Sequence, residues 1–215
     1  AFNKNEKYGY GNINASVHWR SILNDRLIAN FSAGYDHYDY KNDETENEFQ
    51  AARLSFAINQ YFAKANFNLE LDKHKLNFGG STLLYNICTG TYEPLGEDSN
   101  VALNELQKDK ALESAVYLGD EWDITPKLSI NAGIRYSMFN ALGPRDYYVY
   151  QPGALPSSTT VSDTVHVGGS RVLKTYHGPE FRLSGRYAFN DDFSAKVGFN
   201  TMRQNIHKVS NTSIM

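Results

Sequence analysis

The chain of 215 residues has one cysteine, Cys88, and only six prolines. A lone thiol excludes a disulfide framework and a cysteine-built metal site within the chain. No run of about 18 apolar residues occurs, so no segment reads as a membrane-crossing helix. The mean hydropathy of -0.52 is far too low for a helical membrane protein. Charge of neither sign dominates: the net charge is -3, which leaves no electrostatic footprint for nucleic acid. There is no Gly-rich phosphate loop, no HExxH motif and no nucleophile elbow, and the six histidines are scattered. Asp120 and Glu121 are adjacent, so on a strand they point to opposite faces and make a poor acid–base pair. These absences lead us to expect neither an enzyme nor a cofactor. They do not exclude a membrane barrel, because only alternate strand residues of a barrel meet lipid.

What is present is alternation. From Leu128 to Phe139, Leu128, Ile130, Ala132, Ile134, Tyr136 and Met138 fall on one face. Ser129, Asn131, Gly133, Arg135 and Ser137 fall on the other. That is the period of a strand, and it lasts longer than the about 5–6 residues usual in soluble domains. A strand crossing a bilayer needs about 9–11 tilted residues. The same pattern recurs in hairpins: Gly9–Ser21 with Leu27–Tyr38, Phe49–Leu71 with Leu76–Ile87 across the tight turn Asp72–Lys75, Leu112–Trp122 with the strand just described, and Thr175–Phe189 with Phe193–Thr201.

Within Phe49–Leu71 the apolar phase slips near Asn59–Tyr61. We read this stretch as one long strand with a bulge. Asn-Asp pairs at residues 24–25 and 190–191, and Thr125-Pro126-Lys127, mark tight turns. Lys41–Glu48, Cys88–Lys110 and Ala141–Lys174 read as longer polar loops, and residues 99–114 as carrying a short helix. Clustered carboxylates in Lys41–Glu48 match no calcium-loop spacing. Asp120, on the otherwise apolar face of its strand, has no explanation from sequence.

The expected fold class is therefore all-β: a transmembrane antiparallel up-and-down barrel of about eight strands, in four hairpins. Short turns at one end and long loops at the other are the habit of outer-membrane barrels. Trp19, Trp122, Phe189 and Phe193, all beside short turns, fit an interfacial girdle. A free-standing eight-stranded barrel with a structural or adhesive role stays open, although Asn211–Met215 does not read as a closing strand. A soluble carbohydrate-binding β-sandwich would need shorter strands. An outer-membrane enzyme would need a clustered acid, base and nucleophile.

Several stretches carry a family resemblance: Glu113–Thr125 (ESAVYLGDEWDIT), Gly133-Ile134-Arg135-Tyr136, Asp72–Gly79, Tyr176–Arg182 and Arg203–His207. In this order they resemble the barrel domain of TonB-dependent outer-membrane receptors of Gram-negative bacteria. The resemblance implies a barrel of about 22 strands with a plugged lumen. It also implies energising by the periplasmic TonB motor protein and import of a siderophore, cobalamin, peptide or oligosaccharide. Residues 1–215 would be a middle portion of that barrel, within a longer protein whose own plug and remaining strands lie elsewhere. Outer-membrane lipid is the expected surround, no nucleic acid is expected, and a capping surface lipoprotein stays open.

Two groups of residues carry the functional expectation. Arg145, Asp146, Tyr147, Tyr148 and Tyr150, with His177, lie at the long-loop end. Tyrosine faces stack on rings, and their hydroxyls add directional bonds, so these are the candidate ligand-binding residues. Arg20, Lys64, Glu121, Arg135, Glu180, Arg182, Arg186 and Lys196 fall in the polar phase. They are costly against lipid and tolerated toward a lumen or plug. No residue set is expected to hold a metal.

Overall fold

A computed structural model describes residues 6–205, with only single gaps in side-chain description. The strands are β1 (Glu6–Asn24), β2 (Leu27–Glu44), β3 (Ala52–Glu70), β4 (His74–Pro94), the stub β5 (Asn104–Glu105) and β6 (Asp109–Thr125). They continue as β7 (Leu128–Leu142), β8 (Arg145–Tyr150), β9 (Val161–Val167), β10 (Val172–Ala188) and β11 (Ser194–Asn200). The long strands form one antiparallel sheet in the order β1-β2-β3-β4-β6-β7-β10-β11, with β5 on β4. β8 and β9 pair only with each other. The sheet does not close on itself among the described residues, and residues 206–215, including the Asn211–Met215 segment, lie outside them.

The tight turns form where local side chains satisfy backbone donors. Asn24 Oδ1 accepts from the Arg26 amide at 2.9 Å. Thr125 Oγ1 accepts from the Leu128 amide at 3.0 Å, and Asn190 Oδ1 from the Phe193 amide at 2.7 Å. Asx- and Thr-turns of this kind compete with a continued ladder and end it.

Strand pairing sorts the residues onto two faces. Trp19 pairs with Phe31 and Phe31 with Ala65; Ala65 pairs with Gly80, Gly80 with Val116, and Val116 with Tyr136. This face carries an apolar band, from Leu27 to Tyr35 on β2 and from Leu128 to Tyr136 on β7. Both spans fit the about 9–11 tilted residues that cross a bilayer. Aromatic contacts rim the band. Tyr35 and Tyr61 lie 4.9 Å apart at the long-loop side; Trp19–Phe31 and His74–Trp122, each 5.4 Å, lie toward the short turns. Asp120 also stands on this face, and His74 Nδ1 meets its Oδ2 at 2.7 Å. An imidazole from β4 thus covers the carboxylate that sequence left without a partner.

Four details differ from the sequence expectation. β3 is one long strand, but it pairs without interruption through Asn59 and Tyr61, opposite His37 and Tyr35. The irregularity lies in β4, where pairing steps from Ser55–Thr91 to Ala57–Cys88. Second, β2 continues to Glu44 instead of ending before Lys41, because Arg53 reaches back across the pair to Asp43. Third, residues 99–114 form no helix. Their backbone groups are taken up elsewhere: the Asn100 amide by Phe49 O at 2.9 Å, the Leu106 amide by Gly90 O at 3.0 Å, and β5 by Thr91 and Tyr92. Fourth, the loop 141–174 contains the β8–β9 hairpin.

The Asp43–Arg53 pair predicts a pH dependence. Arg53 Nε and Nη2 donate to the two Asp43 oxygens at 2.6 and 2.8 Å. This grip holds the Asp43 carboxyl below its ordinary value. A depressed pKa means that the stabilisation is complete above the unfolded value and is lost as pH falls through the folded one. The protection of the Asn42 and Leu54 amides, taken relative to the intrinsic exchange rate at each pH, should therefore fall from pH 7 to pH 3. Arg53→Ala should bring the low protection to pH 7 and remove most of the difference.

Candidate functional site

Above the Tyr35–Tyr61 rim, toward the long loops, the two faces exchange character. The band face turns polar. His37 Nδ1 lies 2.8 Å from Asn59 Oδ1, which also accepts from Tyr35 Oη at 2.6 Å. Beyond them come Asp39, Lys41 and the Asp43–Arg53 pair. The opposite face turns aromatic. Its pairing rows are Tyr10–Tyr40–Phe56, Asn12–Tyr38–Ile58–Ile87, and Asn14–Asp36–Gln60–Tyr85. Tyr40 and Phe56 stack at 4.9 Å between centroids and 26° between planes. Tyr38 approaches Phe56 at 6.1 Å, and Tyr8 approaches Tyr40 at 6.4 Å. Side chains at every second position across β1–β3 thus build a continuous aromatic wall.

Polar groups border this wall. Asn14 Nδ2 donates to Asp36 Oδ1. A cavity of about 280 Å³ opens among Asn12, Asn14, Asp36, His37, Tyr38, Ile58 and Gln60, where the His37 side chain itself turns to the other face. At the start of β1 the Tyr8 hydroxyl donates to the Glu6 carboxylate, which pushes the phenol pKa up. The wall can offer ring faces, amide donors and a carboxylate acceptor to one ligand. Among the described residues no group of three or more His, Cys, Asp or Glu side chains could hold a metal ion.

The sequence-derived ligand residues are only partly assembled. Arg145, Asp146, Tyr147, Tyr148 and Tyr150 come together on β8. Arg145 and Asp146 serve as anchors there. Arg145 Nη1 meets Asp109 Oδ1 at 3.0 Å, and the Gln107 amide side chain brackets the Asp146 main chain with bonds of 2.9 and 3.3 Å. The Asp146 carboxylate holds His166 Nδ1 at 2.6 Å. Tyr147 and Tyr148 are exposed and point to opposite faces of the hairpin. His177 is not with them: it sits on the band face of β10, opposite Met138, with Nδ1 2.5 Å from Tyr136 Oη.

The second group shares one face. A single row runs Arg20–Asn30–Asn66–Gly79–Tyr117–Arg135–Glu180. Lys64, Glu121, Arg182, Arg186 and Lys196 stand in the same phase. Ser137 Oγ donates to Glu180 Oε1 at 2.8 Å, and Arg135 Nε lies 3.9 Å from the other oxygen. Lys75 bridges toward Glu121 and Asp123 at 3.8 and 3.9 Å. These spacings leave several hydrogen-bonding positions of the wall open.

Sequence reasoning missed the aromatic wall. Its signal was present: Tyr8, Tyr10, Tyr38, Tyr40, Phe56 and Ile58 alternate in the parity opposite to the band residues.

The family model that describes the TonB-dependent receptor-like β-barrel matches residues 1–203. No curated protein matches the chain by sequence. Among solved structures, the copper transporter OprC superposes with a TM-score of 0.68 at 11% identity, over 92% of this chain and 31% of OprC. The open form of the ferric-catecholate import receptor Fiu from E. coli K12 gives 0.64 at 11% identity, over 94% of this chain and 37% of that one. BauA, the ferric preacinetobactin receptor from Acinetobacter baumannii, gives 0.59 at 14% identity, over 90% and 30%. The chain thus spans about a third of the length of these structural relatives.

Proposed function

The chain belongs to the TonB-dependent receptor-like β-barrel family, and from that premise we propose that it is wall of an outer-membrane receptor importing a scarce or large nutrient. The reading is of a transporter of a Gram-negative cell and not of an enzyme. Residues 1–215 are a partial barrel domain on this reading. The band face meets outer-membrane lipid. The opposite face, with Arg20, Lys64, Glu121, Arg135, Glu180, Arg182, Arg186 and Lys196, lines the lumen and contacts the receptor's own plug. The periplasmic TonB motor acts through that plug.

The observation that carries the proposal is the exchange of faces at Tyr35 and Tyr61. Below this level the sheet is apolar toward lipid and polar toward the lumen. Above it the wall stands in water outside the cell, yet its inner side is aromatic from Tyr10 to Tyr85. Apolar surface held open to water at the mouth of a channel is what a capture site for a ring-bearing ligand requires. The hairpin residues Arg145, Asp146, Tyr147, Tyr148 and Tyr150 form the mouth above it, and the ligand passes inward after the plug moves. His177, on the band face, serves the rim through its bond to Tyr136.

Strains with and without the full-length receptor can be grown on a panel of limiting nutrients, with the motor protein present or deleted. At least one compound should require both proteins for uptake. Tyr40→Ala with Phe56→Ala should raise its half-saturating concentration about tenfold, equivalent to about 1.4 kcal/mol, with unchanged receptor in the membrane. Uptake of every compound without either protein would defeat the proposal.

A further inference from the structure

The charged residues of β1–β4 are sorted by height as well as by face. On the lumen side their cations are Arg20, Lys64 and Lys75, all within the band or next to the short turn. The cations at the long-loop end, Lys7, Lys41 and Arg53, all stand on the other face, as their pairing with Asp43 and Gly9 shows. Among the described residues the capture wall therefore carries no basic side chain on these strands. Its charges there are Asp36, Glu44 and Glu6, all acidic. On these strands a multiply anionic chelate would meet carboxylates alone.

What the wall does offer is specific. Tyr10, 81% exposed, and the stacked Tyr40–Phe56 pair present ring faces. Next to them Asn12, Asn14, Asp36 and Gln60 surround the cavity of about 280 Å³, which is the size of a single small ring. Asn14 fixes one Asp36 oxygen and leaves the other as an acceptor. Planar amides and a carboxylate accept from and donate to paired hydroxyls, while aromatic faces cover the apolar C–H side of a ring. Phosphate, sulfonate or carboxylate ligands need arginine or lysine in place of these groups.

We infer that this wall binds a neutral oligosaccharide, one sugar ring seated between Asn12, Asp36 and Gln60 and its neighbours lying along Tyr10, Tyr40 and Phe56. The inference rests on the import reading and names the ligand class of the same site. Asp36 and Gln60 fix the hydroxyl pattern; the aromatic row sets how many rings are held.

The test uses the purified full-length receptor, an array of neutral glycans, and ferric tris-catecholate as the anionic probe. The expected result is saturable binding of a neutral oligosaccharide and none of the catecholate. Tyr40→Ala and, separately, Gln60→Ala should each weaken glycan binding tenfold or more, with the heat-modifiable gel migration of the folded barrel retained. Gln60→Ala removes only a lumen-side amide, so it keeps the test sound if Tyr40→Ala misfolds. Glycan binding that both variants leave unchanged would overturn the assignment of the site. Catecholate binding without glycan binding would overturn the ligand class while motor-dependent uptake of the chelate upheld the import reading. Failure of both probes, together with motor-independent growth on every nutrient, would overturn the two readings together.

Discussion

Ile134→Arg should cost the full-length receptor about 2 kcal/mol or more of folding stability in lipid vesicles, whereas Asn131→Arg, three residues earlier, should cost less than about 1 kcal/mol. Ile134 lies inside the apolar band, between Leu118 of β6 and Phe181 of β10. A guanidinium there must be pulled toward a headgroup or buried in hydrocarbon, and at the midplane of a barrel wall that costs about 2–4 kcal/mol. Asn131 pairs with Glu121 and Ser184 on the other face. An arginine at that position faces water and a carboxylate. Urea titration of both variants, followed by tryptophan fluorescence, measures the difference. Equal losses would mean that the two faces have been assigned to the wrong surroundings.

Gly79→Val should prevent the wall from assembling at all. A Cβ at Gly79 would lie 2.1 Å from the Ala65 carbonyl oxygen and 2.9 Å from Tyr117 Oη. The first contact is with backbone in the neighbouring strand and cannot be relieved by a rotamer. Overpacking in an ordinary core costs about 1–3 kcal/mol, and a backbone clash inside a ladder exceeds that range. Tyr117 reaches across to donate to Asn66 Oδ1 at 3.0 Å, so its ring covers the glycine and replaces the missing side chain. Aromatic cover of a strand glycine is a recurring device in sheets. Full-length receptor with Gly79→Val should migrate in gels as unfolded protein whether heated or not. Normal heat-modifiable migration would show that β3 and β4 can part locally at small cost.

The reach of sequence reasoning can be followed strand by strand. β7 was legible as far as Phe139, because Leu128 to Met138 keeps one phase; its last residues, to Leu142, read as the start of a loop. β3 was legible as a strand and misread in detail. The apolar phase does change near Asn59, but the chain does not slip; the apolar residues pass from the band face to the opposite one, where Phe56 and Ile58 join the aromatic wall. Period-2 patterning records which residues are apolar and cannot say what each face meets. The true irregularity, at Cys88–Thr91, left no trace because Cys, Thr and Gly contrast weakly in polarity. Residues 99–114 have good helical propensity, yet β4 and the start of β3 offer their backbone groups ready partners, and tertiary pairing outweighs a weak local preference. The hairpin in 141–174 was visible in Val161, Val165 and Val167, but a turn-rich composition masked it. Of the candidate ligand residues, Tyr147 and Tyr148 stand free, Arg145 and Asp146 are committed to anchoring, and His177 belongs to the rim.

The β8–β9 hairpin is attached with unusual economy. Beneath it the ladder of β7 and β10 steps once between Val172 and Lys174 and then runs without a break from Ala141 opposite Lys174 down to Leu128 opposite Tyr187. Its root is narrow: Gly143 donates to Arg171 O at 2.9 Å, and a Cβ on Gly143 would strike the Gly169 oxygen. Gln107 and Asp109 tie its side to the wall. Residues 144–170 therefore hang from the sheet as an appendage, and a change in their length or sequence would break no pairing of the long strands.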